Sequence, residues 1–129
     1  PAYGYRIDYA GRSAVLSGDT RFNENVIQFS QGVDLLVHEV AATTEELLRT
    51  SANARIVAGN HTTPEEAAEV FKRAQPRLAV YSHILRFGGY MLDDMIESTR
   101  QAYSGRFEMG EDLMAIELGD TAEISRFKP

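Results

Sequence analysis

Two apolar runs of strand length set the terms for this chain. "VDLLVHE" (33–39) and "RLAVYS" (77–82) show no alternation of polar and apolar residues. Strands of that kind are covered on both faces and belong to parallel sheets flanked by helices. The segment between them supplies such a helix. In "HTTPEEAAEVF" (61–71), Thr63 is placed to cap, Pro64 to open the first turn, and Glu66 to complete a Thr-x-x-Glu capping box. Ala67, Val70, Phe71 and Ala74 then recur at helical spacing, so one face is buried. Strand, helix and strand in this order indicate a layered α/β domain.

The remaining segments fit that class. "YGYRIDYAGRSAVLS" reads as a hairpin, with strands near 4–9 and 12–17 about an Ala10-Gly11 turn. Asn23 is placed to cap a short helix over 24–31, which Gly32 ends. Thr43-x-x-Glu46 is a second capping box at the head of "ATTEELLRTSA". "NARIVAG" suits either a strand or a continued helix. A helix over 91–103 presents Leu92, Met95, Ile96 and Thr99 on one face, and strands near 113–118 and 122–127 meet around Gly119-Asp120. The opening "PAYGYRIDYA" enters a strand almost at once, which suits a piece of a longer chain.

Composition excludes several function classes. Of 129 residues 43% are hydrophobic and 25% charged, ordinary values for one globular domain. A net charge of −6, with lysines and arginines scattered, argues against a general nucleic-acid binder. The absence of cysteine removes both a disulfide framework and a thiolate zinc site, and is compatible with the cytosol or an oxidising compartment. No apolar run is long enough to span a membrane and the start lacks signal-peptide design, so the expected location is cytoplasmic.

The chemically interesting side chains share an address. Asp19 follows the strand "SAVLS", His38 and Glu39 end "DLLV", and His83 follows "LAVYS". Strand carboxyl ends line up along one edge of an α/β sheet, where ligands bind. His61 sits just ahead of a helix cap, where unpaired N–H groups favour an anion. One carboxylate and three imidazoles form a donor set that zinc or manganese accepts. Each also has a plain structural alternative. Asp19 suits a turn bonding its own backbone, His38 a satisfied core histidine, Glu39 a solvated strand end, and His83 a capping side chain.

In order and spacing, "GYRIDYAGRSAVLSGDT", "DLLVHE", "HTTPEEAAEVF" and "LAVYSHI" resemble the C-terminal half of the metallo-β-lactamase superfamily, in the branch with ribonuclease Z and arylsulfatase-like hydrolases. The likeness runs from about residue 3 to 118. It implies half of an αββα sandwich, with residues 1–129 as the C-terminal portion of the domain. It also implies two metal ions, usually zinc, with manganese or iron as alternatives. The "GDT" aspartate, Asp19 here, would bridge them, and the "SH" histidine, His83, would bind the second. Glu39 and His61 would pair near a scissile phosphate, with His61 as general acid or anion ligand and Glu39 orienting it.

Two departures shape the expectation. "HEVA" stands for the branch's "HEAT" and "HTT" for "HST", so a relative of ribonuclease Z is expected rather than that enzyme itself. The superfamily's His-x-His-x-Asp-His signature is absent, leaving two protein ligands where zinc sites use three or four. The implied function is metal-dependent hydrolysis of phosphodiesters or related esters by the full-length protein, with nucleic acid entering only as substrate. The fragment alone would be inactive. The alternative is a non-catalytic, self-associating half-domain or interaction module. Because half a sandwich leaves one sheet face without its facing layer, a homo-oligomer is expected.

Overall fold

A computed structural model describes residues 2–127. Five strands form one sheet in sequence order: β1 (Tyr5–Tyr9), β2 (Arg12–Leu16), β3 (Leu35–Thr43), β4 (Leu78–Phe87) and β5 (Phe107–Met109). β1 and β2 are antiparallel, and every later neighbour is parallel. The helices are α1 (Glu24–Phe29), α2 (Glu45–Thr50), α3 (Ala52–Ala58), α4 (Pro64–Ala74) and α5 (Leu92–Ala102). A separate hairpin, β6 (Ala115–Leu118) with β7 (Ala122–Ser125), completes the described chain.

The apolar runs are buried as expected, and alternate side chains of each serve different layers. Leu36 and Val40 of β3, and Ala79 and Tyr81 of β4, face the main core with Ala67, Val70 and Phe71 of α4. Phe71 stacks against Tyr81 and Tyr103 with ring centroids 5.3 and 5.5 Å apart. Leu35, Leu78 and Val80 face the other way and pack with Ile116, Leu118, Ala122 and Ile124 of the β6–β7 hairpin. The second face is therefore not bare: a two-stranded cover lies over the starts of β3 and β4. Arg77 reinforces it, pairing with Asp34 and reaching the carbonyls of Gly119 and Asp120.

Local chemistry explains where boundaries moved. Thr44, not Thr43, caps α2, accepting from Leu47 N–H, because Thr43 stays extended opposite Phe87 as the last residue of β3. "NARIVAG" resolves as helix, with Ser51 accepting from Ala54 N–H. The helix predicted over 24–31 stops at Phe29, and Ser30 closes it. β5 has three residues, too few for a readable pattern. The capping box at Thr63 and Glu66 forms in both directions.

Candidate active site

β4 does not end before His83. Pairing with β3 runs through Glu39 opposite Ser82, then resumes with Val40 opposite Ile84, so His83 is the extra residue of a bulge. Its φ of 46° lies in the left-handed region. A bulge of this kind re-aims one side chain out of the ladder. The imidazole points toward the loop after β2, where Nε2 lies 3.5 Å from Asp19 Oδ2. Asp19 is placed there by Gly18, whose φ of 63° and whose 2.2 Å clearance between a hypothetical Cβ and Tyr3 O exclude any side chain.

Glu39 is 1% exposed at the centre of the site. Its Oε1 accepts Thr62 N–H at 2.9 Å and Thr20 N–H at 3.2 Å, while Oε2 lies 3.3 Å from His61 Nδ1. Thr62 Oγ1 donates to Thr20 O at 2.6 Å, and Ala41 N–H donates to Thr62 O at 2.9 Å. One carboxylate thus clasps the loop bearing Asp19 to the loop bearing His61. Burial raises its pKa above the ordinary carboxylate value, offset in part by Thr62, the His61 ring and Thr20. Glu39 N–H donates to Ser17 Oγ at 3.0 Å, tying the middle of β3 to the residue that follows β2.

The His61 and His83 rings stand 5.7 Å apart, tilted by 37°. Asp19, His83, His61 and Glu39 therefore form one continuous row of side chains, from the loop after β2 past the bulge of β4 to the middle of β3. β3 does not end at His38 and Glu39 as expected but runs on to Thr43, because its pairing with β4 resumes beyond the bulge. His38 does not join them. It is fully buried on the helical face, edge-on to Phe71, with Nδ1 2.7 Å from Glu39 O, and burial lowers its pKa. The carbonyl contact fixes Nδ1–H as donor in the neutral ring. Thr62, Thr20 and Ser17 are contributors that sequence reasoning missed. Their signal was faint, a small polar residue within two positions of Asp19 or His61.

The fit to a metal is partial. Asp19 and His83 present an oxygen and a nitrogen that converge on one half-exposed point, the chemistry a divalent cation accepts. Among the described residues, no group of three or more His, Asp or Glu side chains encloses a metal position. The pair suits a share of a larger ligand set.

A family profile described as the beta-lactamase superfamily domain matches residues 1–84. Ribonuclease Z of Haloarcula marismortui is 33% identical over 104 residues, covering 81% of this chain and 32% of that protein. Ribonuclease Z of Anoxybacillus flavithermus is 35% identical over 96 residues, covering 72% and 28%. The chain thus spans about a third of the length of these relatives. Among solved structures, the metallo-beta-lactamase fold protein YhfI of Bacillus subtilis superposes with a TM-score of 0.67 at 19% identity, over 84% of this chain and 41% of that one. The short form of human tRNase Z gives 0.56 at 21% identity, over 86% and 35%. The superpositions show a shared fold, and the profile match over more than half the chain settles the family: this chain belongs to the beta-lactamase superfamily, with the metallo-β-lactamase fold.

Proposed function

We infer that this chain carries one side of the active site of a ribonuclease Z-like phosphodiesterase. The observation that carries this reading is the juxtaposition of two differently built pairs. Asp19 and His83 are half-exposed and suited to a cation, whereas Glu39 and His61 are sheltered and suited to proton handling. The names of the ribonuclease Z relatives support RNA as the substrate class.

In this reading Asp19 and His83 would hold metal, zinc by preference, with the remaining ligands coming from outside this chain. Bound metal supplies Lewis acidity and water of lowered pKa at the scissile phosphorus. The rest is the work of protein side chains. Glu39, fixed by two backbone N–H groups, cannot swing away, so its free oxygen stays 3.3 Å from His61 Nδ1, placed to orient the ring. A proton held at Nε2 is then available to the leaving oxygen of the ester, and the positive ring also attracts the phosphate. The carboxylate itself stays too buried to reach substrate and acts only through the ring.

The test separates the two pairs in the full-length protein. Asp19→Ala loses metal and turnover together. His61→Ala keeps metal while turnover of an unactivated phosphodiester falls by roughly 10²–10⁴-fold, and a nitrophenyl phosphodiester, whose leaving group needs no proton, suffers less. Loss of metal on His61→Ala, or unchanged turnover of the unactivated ester, overturns the assignment.

A further inference from the structure

Thr62 is fully buried, and its three polar groups go to three different places. Its N–H donates to Glu39 Oε1 at 2.9 Å, its carbonyl accepts Ala41 N–H at 2.9 Å, and its Oγ1 donates to Thr20 O at 2.6 Å. Thr20 N–H in turn donates to the same Glu39 Oε1 at 3.2 Å. Glu39, Thr20 and Thr62 are thus the corners of a closed triangle of hydrogen bonds. The hydroxyl bond is the side of that triangle that joins the two loops directly, without passing through the carboxylate.

Each corner carries a chemical group. One is Glu39 itself, while Asp19 immediately precedes Thr20 and His61 immediately precedes Thr62. With two sides alone, either loop could swing about Glu39 Oε1, because one shared acceptor fixes distances and not the angle between them. The third side removes that freedom, so neither loop shifts without breaking two bonds. Branching at Cβ restricts Thr62 to few rotamers and keeps its hydroxyl aimed. The same triangle limits how far the His61 ring can move from its place 5.7 Å from the ring of His83.

We propose, on the reading given above in which Asp19 takes metal, that Thr62 is a positioning residue whose hydroxyl couples the metal pair to the proton pair. It touches neither metal nor substrate. Through it the loop of His61 holds Asp19 in the one arrangement that accepts a cation, and a cation on Asp19 in turn fixes His61. A loop free to pivot would hold that arrangement only part of the time, and apparent affinity falls in proportion to the fraction that is competent. Coupling of this kind is reciprocal.

The test uses the full-length protein. Thr62→Val keeps the shape, the branching and both backbone bonds while removing the hydroxyl. It is expected to weaken zinc retention against a chelator by about tenfold to a hundredfold. At saturating zinc, kcat falls for the unactivated phosphodiester and the nitrophenyl ester alike, with KM little changed, because both pairs are misplaced. Thr62→Ser, which returns the hydroxyl, recovers zinc retention and turnover. In the parent, reciprocity requires zinc to slow amide exchange at Thr62 more than at Ala74, the last residue of α4. If Thr62→Val fails to fold, that exchange measurement decides alone. Parental zinc retention in Thr62→Val, a loss confined to the unactivated ester, no recovery in Thr62→Ser, or exchange at Thr62 indifferent to zinc overturns the proposal. Asp19→Ala keeps the two readings apart. If it retains zinc, the function proposed above fails; if it loses zinc while Thr62→Val holds zinc as the parent does, the coupling alone fails.

Discussion

At His83 the backbone adopts a left-handed conformation that costs a residue with a Cβ about 1–2 kcal/mol. His83→Gly is therefore expected to be more stable than His83→Ala by about 1 kcal/mol in urea unfolding, although both lose the same imidazole. Equal stability would mean that the bulge relaxes in the variants. The neighbours His38 and Glu39 supply a second prediction. Burial lowers the His38 pKa, so below about pH 6.5 the unfolded chain binds a proton that the folded chain refuses, and stability falls as pH falls. Glu39 is shifted upward, so its contribution is present below its unfolded pKa and lost as pH rises through the folded value. The two terms oppose each other in the range above the ordinary glutamate value and below the ordinary histidine value. Glu39→Gln should steepen the loss of stability on acidification there, and His38→Phe should flatten it, as read from urea midpoints at a series of pH values. The four site residues were legible because Asp19, Glu39 and His83 fall in or just after apolar strand runs and His61 just ahead of a capping box. The bulge was not, since no glycine or proline marks it and His83 itself occupies the strained position.

Among the elements, α4 was legible almost to its last residue, because capping box, N-terminal proline and apolar spacing all agree. Its cap also borders the site, one residue after Thr62 and two after His61. Thr63→Ala should cost about 1 kcal/mol of stability and speed amide exchange in the first turn of α4, while the far end of the helix stays protected. Uniform exchange along α4 would count against a local role for the cap. α2 shows the limit of such reading. Two adjacent threonines each fit a capping pattern, and pairing of Thr43 with β4, invisible in the local sequence, decided between them. β5 escaped for a related reason, since a three-residue strand owes its existence to β4 beside it.

For the whole molecule, Asp34 is the joint between layers. Its Oδ2 accepts Ser13 N–H at 2.9 Å from β2, and its other oxygen meets Arg77, which continues to the Gly119-Asp120 turn of the covering hairpin. The Arg77 hydrogen bond first, and the Ser13 N–H second, hold its carboxyl below the ordinary carboxylate value. The stabilisation is thus complete above the unfolded pKa and lost as pH falls through the lowered folded one. Asp34→Ala should destabilise by roughly 1.5–3 kcal/mol, with the difference from the parent shrinking in strong acid. A constant difference down to pH 2 would show that packing, not charge, is lost. The α/β class was legible from the two unbroken apolar runs. The hairpin's seat over Leu35, Leu78 and Val80 was not, because "DLMAIEL" shows only that a strand exists, not which face it covers.

The bulge carries a consequence for how such a chain can change. Ser82 and Ile84 face consecutive residues of β3, so removing His83 alone leaves a strand already in register on both sides. An in-frame deletion of that single codon would excise the imidazole together with the strained backbone. The shortened protein is expected to melt no lower than its parent while lacking the imidazole to which the proposed function gives a share of the metal. Loss of the chemistry is thus one genetic step away along a route that folding does not oppose, so the residue persists in a lineage only while something selects for what it does.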